Sequence, residues 1–429
     1  MKSGAMLSIP SRWCADIVQW WRSSSWERRV FALLTLAYVL GLASMFYSNH
    51  HSTPRSLYLF LTLPLAAWVI WLRRREMPPG ALLKSVVLGG VVAYLVLTNV
   101  ASFVNGGADS HVLLRETRLV VLIVAFLLLT GLIVHEGPRM VTIAVCALAV
   151  LLSLSALCQM ILYVAAKPVP SDLSVYRLVA TFGFPDYRNS TNISAPYALF
   201  FVAIVAAVVG GQLSRRMSWL LAPAAAVLLA AVLFTQSRNA LLALVLGTAV
   251  ATFLAAPVVR RVTLGLVAAS GVAVFAIPAV GDAVVARGSS YRPEIWSQYL
   301  AMAANKPLLG YGSFQDVKVA IAPNLVLDQA HNIVLSSQIR AGLGGAAAIL
   351  LVLLAGLYFT TQYWRRTGNA IPLCMIATMG AYSMLDYTLS VTYPAWPWVA
   401  FWLPMGLAAG AESVARRQRA RSGPGTSAG

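Results

Sequence analysis

The chain has 429 residues, of which 59 % are hydrophobic and only 11 % charged, with a mean hydropathy of +0.74. Soluble domains carry about 25 % charged residues, so this composition excludes a soluble enzyme, a disordered tail protein and a nucleic-acid-binding module, and leaves a polytopic membrane protein. The net charge of +18 then reads as basic loops on one side of a bilayer, with no nucleic-acid partner.

The first 29 residues read as a cytoplasmic amphipathic segment, with Trp13–Trp26 lying on the inner leaflet. They lack a compact apolar core and a small-residue cleavage site, so no cleavable signal peptide is expected. Charge-free apolar stretches of spanning length follow at Val30–Tyr47, Ser56–Leu72, Ser85–Val104, Leu119–Val134, Met140–Ala166, Ile193–Leu213, Met217–Phe234, Asn239–Val259 and Val262–Val280. Three more come at Ala341–Trp364, Gly368–Leu385 and Trp396–Ala411. The expected fold is an all-α transmembrane bundle of about twelve spanning helices. Nine spans fall within 30–280, interrupted by a periplasmic loop at 167–192. A large periplasmic loop with short helices covers 281–330, three spans fall within 331–412, and a basic cytoplasmic tail covers 413–429. Pro64, Pro223 and Pro404 fall inside spans, as membrane helices tolerate.

Alternating the spans from a cytoplasmic N-terminus places Arg28, Arg29, Arg139, Arg215, Arg216, Arg260, Arg261, Arg365 and Arg366 on one side, and every short loop there carries a basic residue. Both termini are then cytoplasmic. The two long loops face the other way, where no nucleotide is available. The four cysteines, Cys14, Cys146, Cys158 and Cys374, form no disulfide framework and no metal-ligand spacing.

Chemistry is expected in residues facing that far side. Arg238 stands alone between Arg216 and Arg260, where the seventh span meets the interface. It reads either as a snorkelling arginine or as an anion ligand. Pro293 and Glu294 suit the first turn of a short helix that begins after Arg292 and ends near Asn305. That puts Arg292 at a helix N-terminus, either as a phosphate clamp or as a cap for loop carbonyls. Arg287 is a weaker candidate of the same kind. Gly310-Tyr-Gly312 is a turn signal. His331 stands at the boundary between this loop and the tenth span, placed to serve as a general base or as a hydrogen-bonded structural residue. Arg340 follows nine residues on, with Asp386 in the eleventh span as its expected partner. The far-side carboxylates are dispersed and include no Asp-x-Asp, which favours metal-independent chemistry without a cofactor. No P-loop, His-Glu-x-x-His or Gly-x-Ser-x-Gly element occurs.

Taken in order, these pieces resemble the O-antigen ligase family of bacterial inner membranes. Thr181–Asn192 resembles the family's aromatic–Pro–Asn turn, with Asp186 where asparagine is usual. Ser237-Arg-Asn239 resembles its Ser-Arg element. Arg292-x-x-x-Trp296 followed by Pro307-Leu-Leu-Gly-Tyr-Gly312 resembles its loop signature, and His331-Asn332 its His-Asn motif. The resemblance implies a GT-C-like bundle in the inner membrane with a periplasmic active site. Its donor would be an undecaprenyl-pyrophosphate-linked glycan and its acceptor the lipid A–core. Arg238, Arg292 and Arg287 would hold the pyrophosphate, and His331 would serve the acceptor hydroxyl in one inverting displacement. Arg340, Asp386, Tyr187 and Arg188 are supporting candidates. An O-antigen polymerase or a protein O-oligosaccharyltransferase would use the same donor, and a non-catalytic transporter of the lipid-linked glycan is the remaining alternative.

Overall fold

The computed structural model describes residues 23–50, 52–72, 84–106, 110–167, 177–183, 189–255, 257, 260–261, 291–313, 317–322, 325–386 and 394–421. Among these the helices are α1 (Trp26–Tyr47), α2 (Ser52–Leu72), α3 (Val86–Val104), α4 (Ser110–His135), α5 (Pro138–Ala166), α6 (Ser190–Val209), α7 (Arg215–Thr235), α8 (Arg238–Phe253), α9 (Arg292–Asn305), α10 (Ile333–Thr367), α11 (Ile371–Asp386) and α12 (Leu403–Arg421). Eight of them, α1 to α7 and α10, are long and apolar enough to cross a bilayer, and α8 and α11 are shorter apolar helices. The protein is an all-α polytopic membrane protein. The ninth sequence-predicted span, Val262–Val280, lies outside the described residues, as do Arg287, Tyr187, Arg188 and most of Trp13–Trp26.

Helix starts are written locally. Ser25, Ser85, Asn189, Ser214, Ser237 and Asn332 each precede a helix, and each side chain accepts a hydrogen bond from a backbone N–H two or three residues on, satisfying a donor the helix cannot. Two π turns, Tyr58–Thr62 within α2 and Trp398–Trp402 leading into α12, end two residues before Pro64 and Pro404. A proline offers no N–H to the ladder, and a locally widened turn absorbs the defect.

The fourth span starts earlier than its apolar stretch suggests. Helix α4 begins at Ser110 and takes in Arg115, Glu116 and Arg118. Glu116 is buried, with Arg115 3.5 Å from its carboxylate, so the helix carries its charge inside by pairing it.

Helix α10 lies along α3, α11 and α12, while α6 packs against α7, α8 and α11, and α12 against α4. Gly406 and Gly410 of α12 sit against Thr130 and Gly131 of α4, a close approach that small residues permit. At one end of the bundle, the buried Glu412 accepts from Ser85 Oγ at 2.6 Å and from the N–H groups of Val86 and Val87, and is paired to Arg416. Arg366 donates to the Ala415 carbonyl at that end, and Asn369 donates to that of Pro138. The N-termini of α3 and α5 and the C-termini of α10 and α12 therefore meet there, among basic residues.

The opposite end carries α9 and a two-stranded antiparallel hairpin, β1 (Val319–Ala322) with β2 (Leu325–Leu327), in the register Val319↔Leu327 and Ala320↔Val326. The amino-acid pattern predicts only short helices in this loop, so the hairpin is an addition. The hairpin forms because Val319, Ile321 and Leu327, with Val317, cover Ile295 and Tyr299 of α9 in a small second core. This cap is locked onto α10. Helix α10 is interrupted at Ala341 and Gly342, whose φ/ψ of 64°/−164° is open to glycine alone. The interruption strands the carbonyls of Ile339 and Arg340, and the 307–312 turn supplies their donors: Tyr311 N–H at 2.6 Å and Gly312 N–H at 2.9 Å. Leu343 N–H in turn donates to the Pro307 carbonyl at 2.7 Å. The predicted start of the tenth span, Ala341, coincides with this break, and residues 333–340 form a helical extension toward the cap.

Candidate functional site

The C-terminal end of α11 is where the sequence-predicted residues meet. Its last carbonyls have no partner within the helix. The Asn332 side chain donates to Met384 O at 3.1 Å and Arg292 Nε donates to Leu385 O at 3.0 Å. The carboxylate of Asp386 then takes two donors, the His331 ring through Nδ1 at 2.7 Å and Asn239 Nδ2 at 2.6 Å. Asn239 is the neighbour of Arg238. Arg292, His331 and Asn239, the chain neighbour of Arg238, come from three separate elements and meet at one helix end.

Each is placed by local sequence. The α7–α8 corner is tight because Gln236 takes the left-handed conformation and Ser237 caps α8, which leaves Arg238 as the first helical residue. Tyr291, also left-handed, turns the chain into α9, with Arg292 first and Pro293 second. His331 has φ of 50°, a conformation uncommon outside glycine. It is held from both sides: the Trp296 indole donates to the Ala330 carbonyl at 3.0 Å, and Asn332 caps α10 by accepting from Leu335 N–H at 3.0 Å. His331 therefore precedes α10 and does not open it.

The dyad is asymmetric in exposure: 9 % for the Asp386 side chain against 30 % for His331. An ionised carboxylate is acceptor-only, so in the neutral imidazole Nδ1 carries the proton toward it and Nε2 is the acceptor. Arg238 and Arg292, both half-buried, put guanidinium charge on the positive ends of α8 and α9.

Residues 223–350 match the family model described as O-Antigen ligase. A curated relative, "O-antigen ligase" from Pseudomonas aeruginosa, is 26 % identical to the chain over 129 residues, covering 29 % of this chain and 31 % of that protein. The chain thus spans about a third of the length of the curated relative it matches. The matched stretch contains Arg238, Asn239, Arg292, His331 and Arg340, and ends before Asp386.

One expected pairing is corrected. Asp386 pairs with His331 and Asn239 and not with Arg340. Arg340 interacts electrostatically with Glu116 and Tyr299 and lines a separate cavity. Sequence reading also passed over Asn239 and Arg177. Arg177 Nε donates to Thr235 O at 3.2 Å and Leu178 N–H to Phe234 O at 2.9 Å, tying the 177–183 segment to the corner that presents Arg238. A buried asparagine in the first turn of an apolar helix was the available signal for Asn239.

Proposed function

We propose that the chain is an inverting, metal-independent glycosyltransferase of the bacterial inner membrane. It transfers O-antigen polysaccharide from undecaprenyl pyrophosphate to lipid A–core on the periplasmic side, in lipopolysaccharide biosynthesis. The observation that carries this reading is the meeting of Arg292, the His331–Asp386 pair and Asn239, next in the chain to Arg238, at the end of α11. The O-antigen ligase match over residues 223–350 supports it. The basic residues at the far end of the bundle, read as cytoplasmic, support a periplasmic position for this site.

In the proposed step the donor pyrophosphate lies against Arg238 and Arg292, with Arg287 assisting. His331 Nε2 accepts the proton of the acceptor hydroxyl while Asp386 stabilises the imidazolium that forms. The hydroxyl oxygen bonds to the anomeric carbon from the face opposite the leaving group. The bond from that carbon to the pyrophosphate oxygen breaks, configuration inverts, and undecaprenyl pyrophosphate departs as an anion that the guanidinium groups neutralise. A GT-C-like enclosure would serve to keep this centre beside the lipid tails.

The test is transfer by purified protein supplied with carrier-linked glycan and lipid A–core, with and without chelator. The expected result is a core-band shift that survives chelation. Arg238→Ala, Arg292→Ala and His331→Ala should each lose at least about 100-fold in rate while still inserting in the membrane. Elongation of carrier-linked glycan without core modification would identify a polymerase instead. Full transfer by any of the three variants would remove that residue from its role.

A further inference from the structure

A second polar cavity, apart from the α11 end, opens between α9, the start of α10 and the residues ahead of His331. It measures about 180 Å³, room for roughly six waters, and is of the order of one pyranose ring. Among its lining residues are Tyr299, Ser313, Asp328, Gln329, Ser336 and Arg340. The Tyr299 hydroxyl donates to the carbonyls of Val317 and Leu327 at 3.3 Å, which fixes that wall. The Gly312 N–H to Arg340 carbonyl bond and the Ser313 N–H to Ser102 Oγ bond at 2.8 Å fix another.

The charges decide the ligand class. Arg340 interacts with the buried Glu116, which is also paired to Arg115, and Asp328 stands in the same wall as Arg340. Among the described lining residues one guanidinium, Arg340, thus stands with one carboxylate, Asp328. A balanced set of this kind gives an anion no net attraction. It does offer a carboxylate acceptor, a guanidinium donor, an amide and two hydroxyls at close spacing, the complement of a ring bearing several hydroxyl groups. Ala330 also lines the cavity, so its occupant lies one residue along the chain from His331.

We propose that this cavity is a sugar subsite, in which Asp328 and Arg340 hold one neutral, hydroxyl-bearing sugar unit of a glycan substrate beside the His331 centre. The proposal rests on the glycosyltransferase reading above. The sugar belongs either to the carrier-linked donor or to the lipid A–core acceptor.

The experiment measures binding without turnover. The full chain carrying His331→Ala is placed in nanodiscs and titrated with four probes: undecaprenyl pyrophosphate, undecaprenyl-pyrophosphate-linked glycan, lipid A–core, and lipid A without core. Asp328→Asn and Arg340→Gln are each added to that background. Asp328 is exposed, so its variant keeps the test valid if loss of Arg340 unfolds the protein. The expected result is an affinity about tenfold weaker for one glycan-bearing probe, with the two sugar-free probes unchanged. The probe that weakens assigns the subsite to donor or acceptor. Unchanged affinity for both glycan-bearing probes, or equal weakening for bare undecaprenyl pyrophosphate, overturns the subsite and leaves the enzymatic reading standing. If the His331→Ala parent itself binds neither glycan-bearing probe, the enzymatic reading falls and the subsite with it.

Discussion

Asp386 shows how far a single residue's meaning depends on its neighbours. In the chain it is one carboxylate in an apolar stretch, and its natural reading was a counter-ion for Arg340. In the fold both oxygens accept hydrogen bonds, one from His331 and one from Asn239. Replacing it with asparagine puts an N–H₂ group where only acceptors serve, so either the His331 tautomer changes or the Asn239 bond is lost. Asp386→Asn should lower kcat for transfer by roughly 100-fold or more with little change in KM for the donor. A kcat ratio near unity would show that the carboxylate neither orients nor charges the imidazole. His331 and the two arginines were legible because histidine and lone arginines are conspicuous in an apolar chain. Asn239 was not, since an uncharged amide stands out only when burial demands a partner for it.

At the scale of elements, the start of α9 and the caps of the spans follow from short-range rules: Pro293 and Glu294 after Arg292, and serine or asparagine before each capped helix. The break in α10 follows from a contact between distant segments. Gly342 sits against the Leu308 carbonyl, and the 307–312 turn replaces the hydrogen bonds that the break removes. Gly342→Ala introduces a Cβ into that carbonyl and a side chain into a glycine-only conformation. It should cost about 1–3 kcal/mol, read as a lower unfolding temperature in detergent, and should loosen the cap that positions His331 and Arg292. An unchanged unfolding temperature would mean that α10 straightens at little cost. The β1–β2 hairpin was missed for a related reason: its strands are only four and three residues long, and α9 supplies the apolar surface that makes them worth forming.

For the whole molecule, the two ends of the bundle differ in kind. One gathers arginines around Glu412 and the ends of α3, α5, α10 and α12; the other gathers the α11 hub and its cap. A cysteine at position 297, in α9, introduced into a chain whose native cysteines are replaced, should react with a membrane-impermeant maleimide added outside spheroplasts. A cysteine at position 367, beside Arg366, should react only after permeabilisation. The reverse pattern would place the site in the cytoplasm and remove the periplasmic reading.

Composition and periodicity determined the membrane class, the positions of most helices, the alternation of basic ends and the identity of the arginines and histidine at the site. These are properties of local hydrophobicity and charge, which a bilayer reads one segment at a time. The tertiary structure decided which carboxylate serves His331, that Arg340 faces a different cavity, where α10 breaks, and that three helix starts converge on one helix end. Those outcomes depend on contacts between residues 28 to 147 positions apart, set by how the helices pack, and no local signal in the chain encodes them.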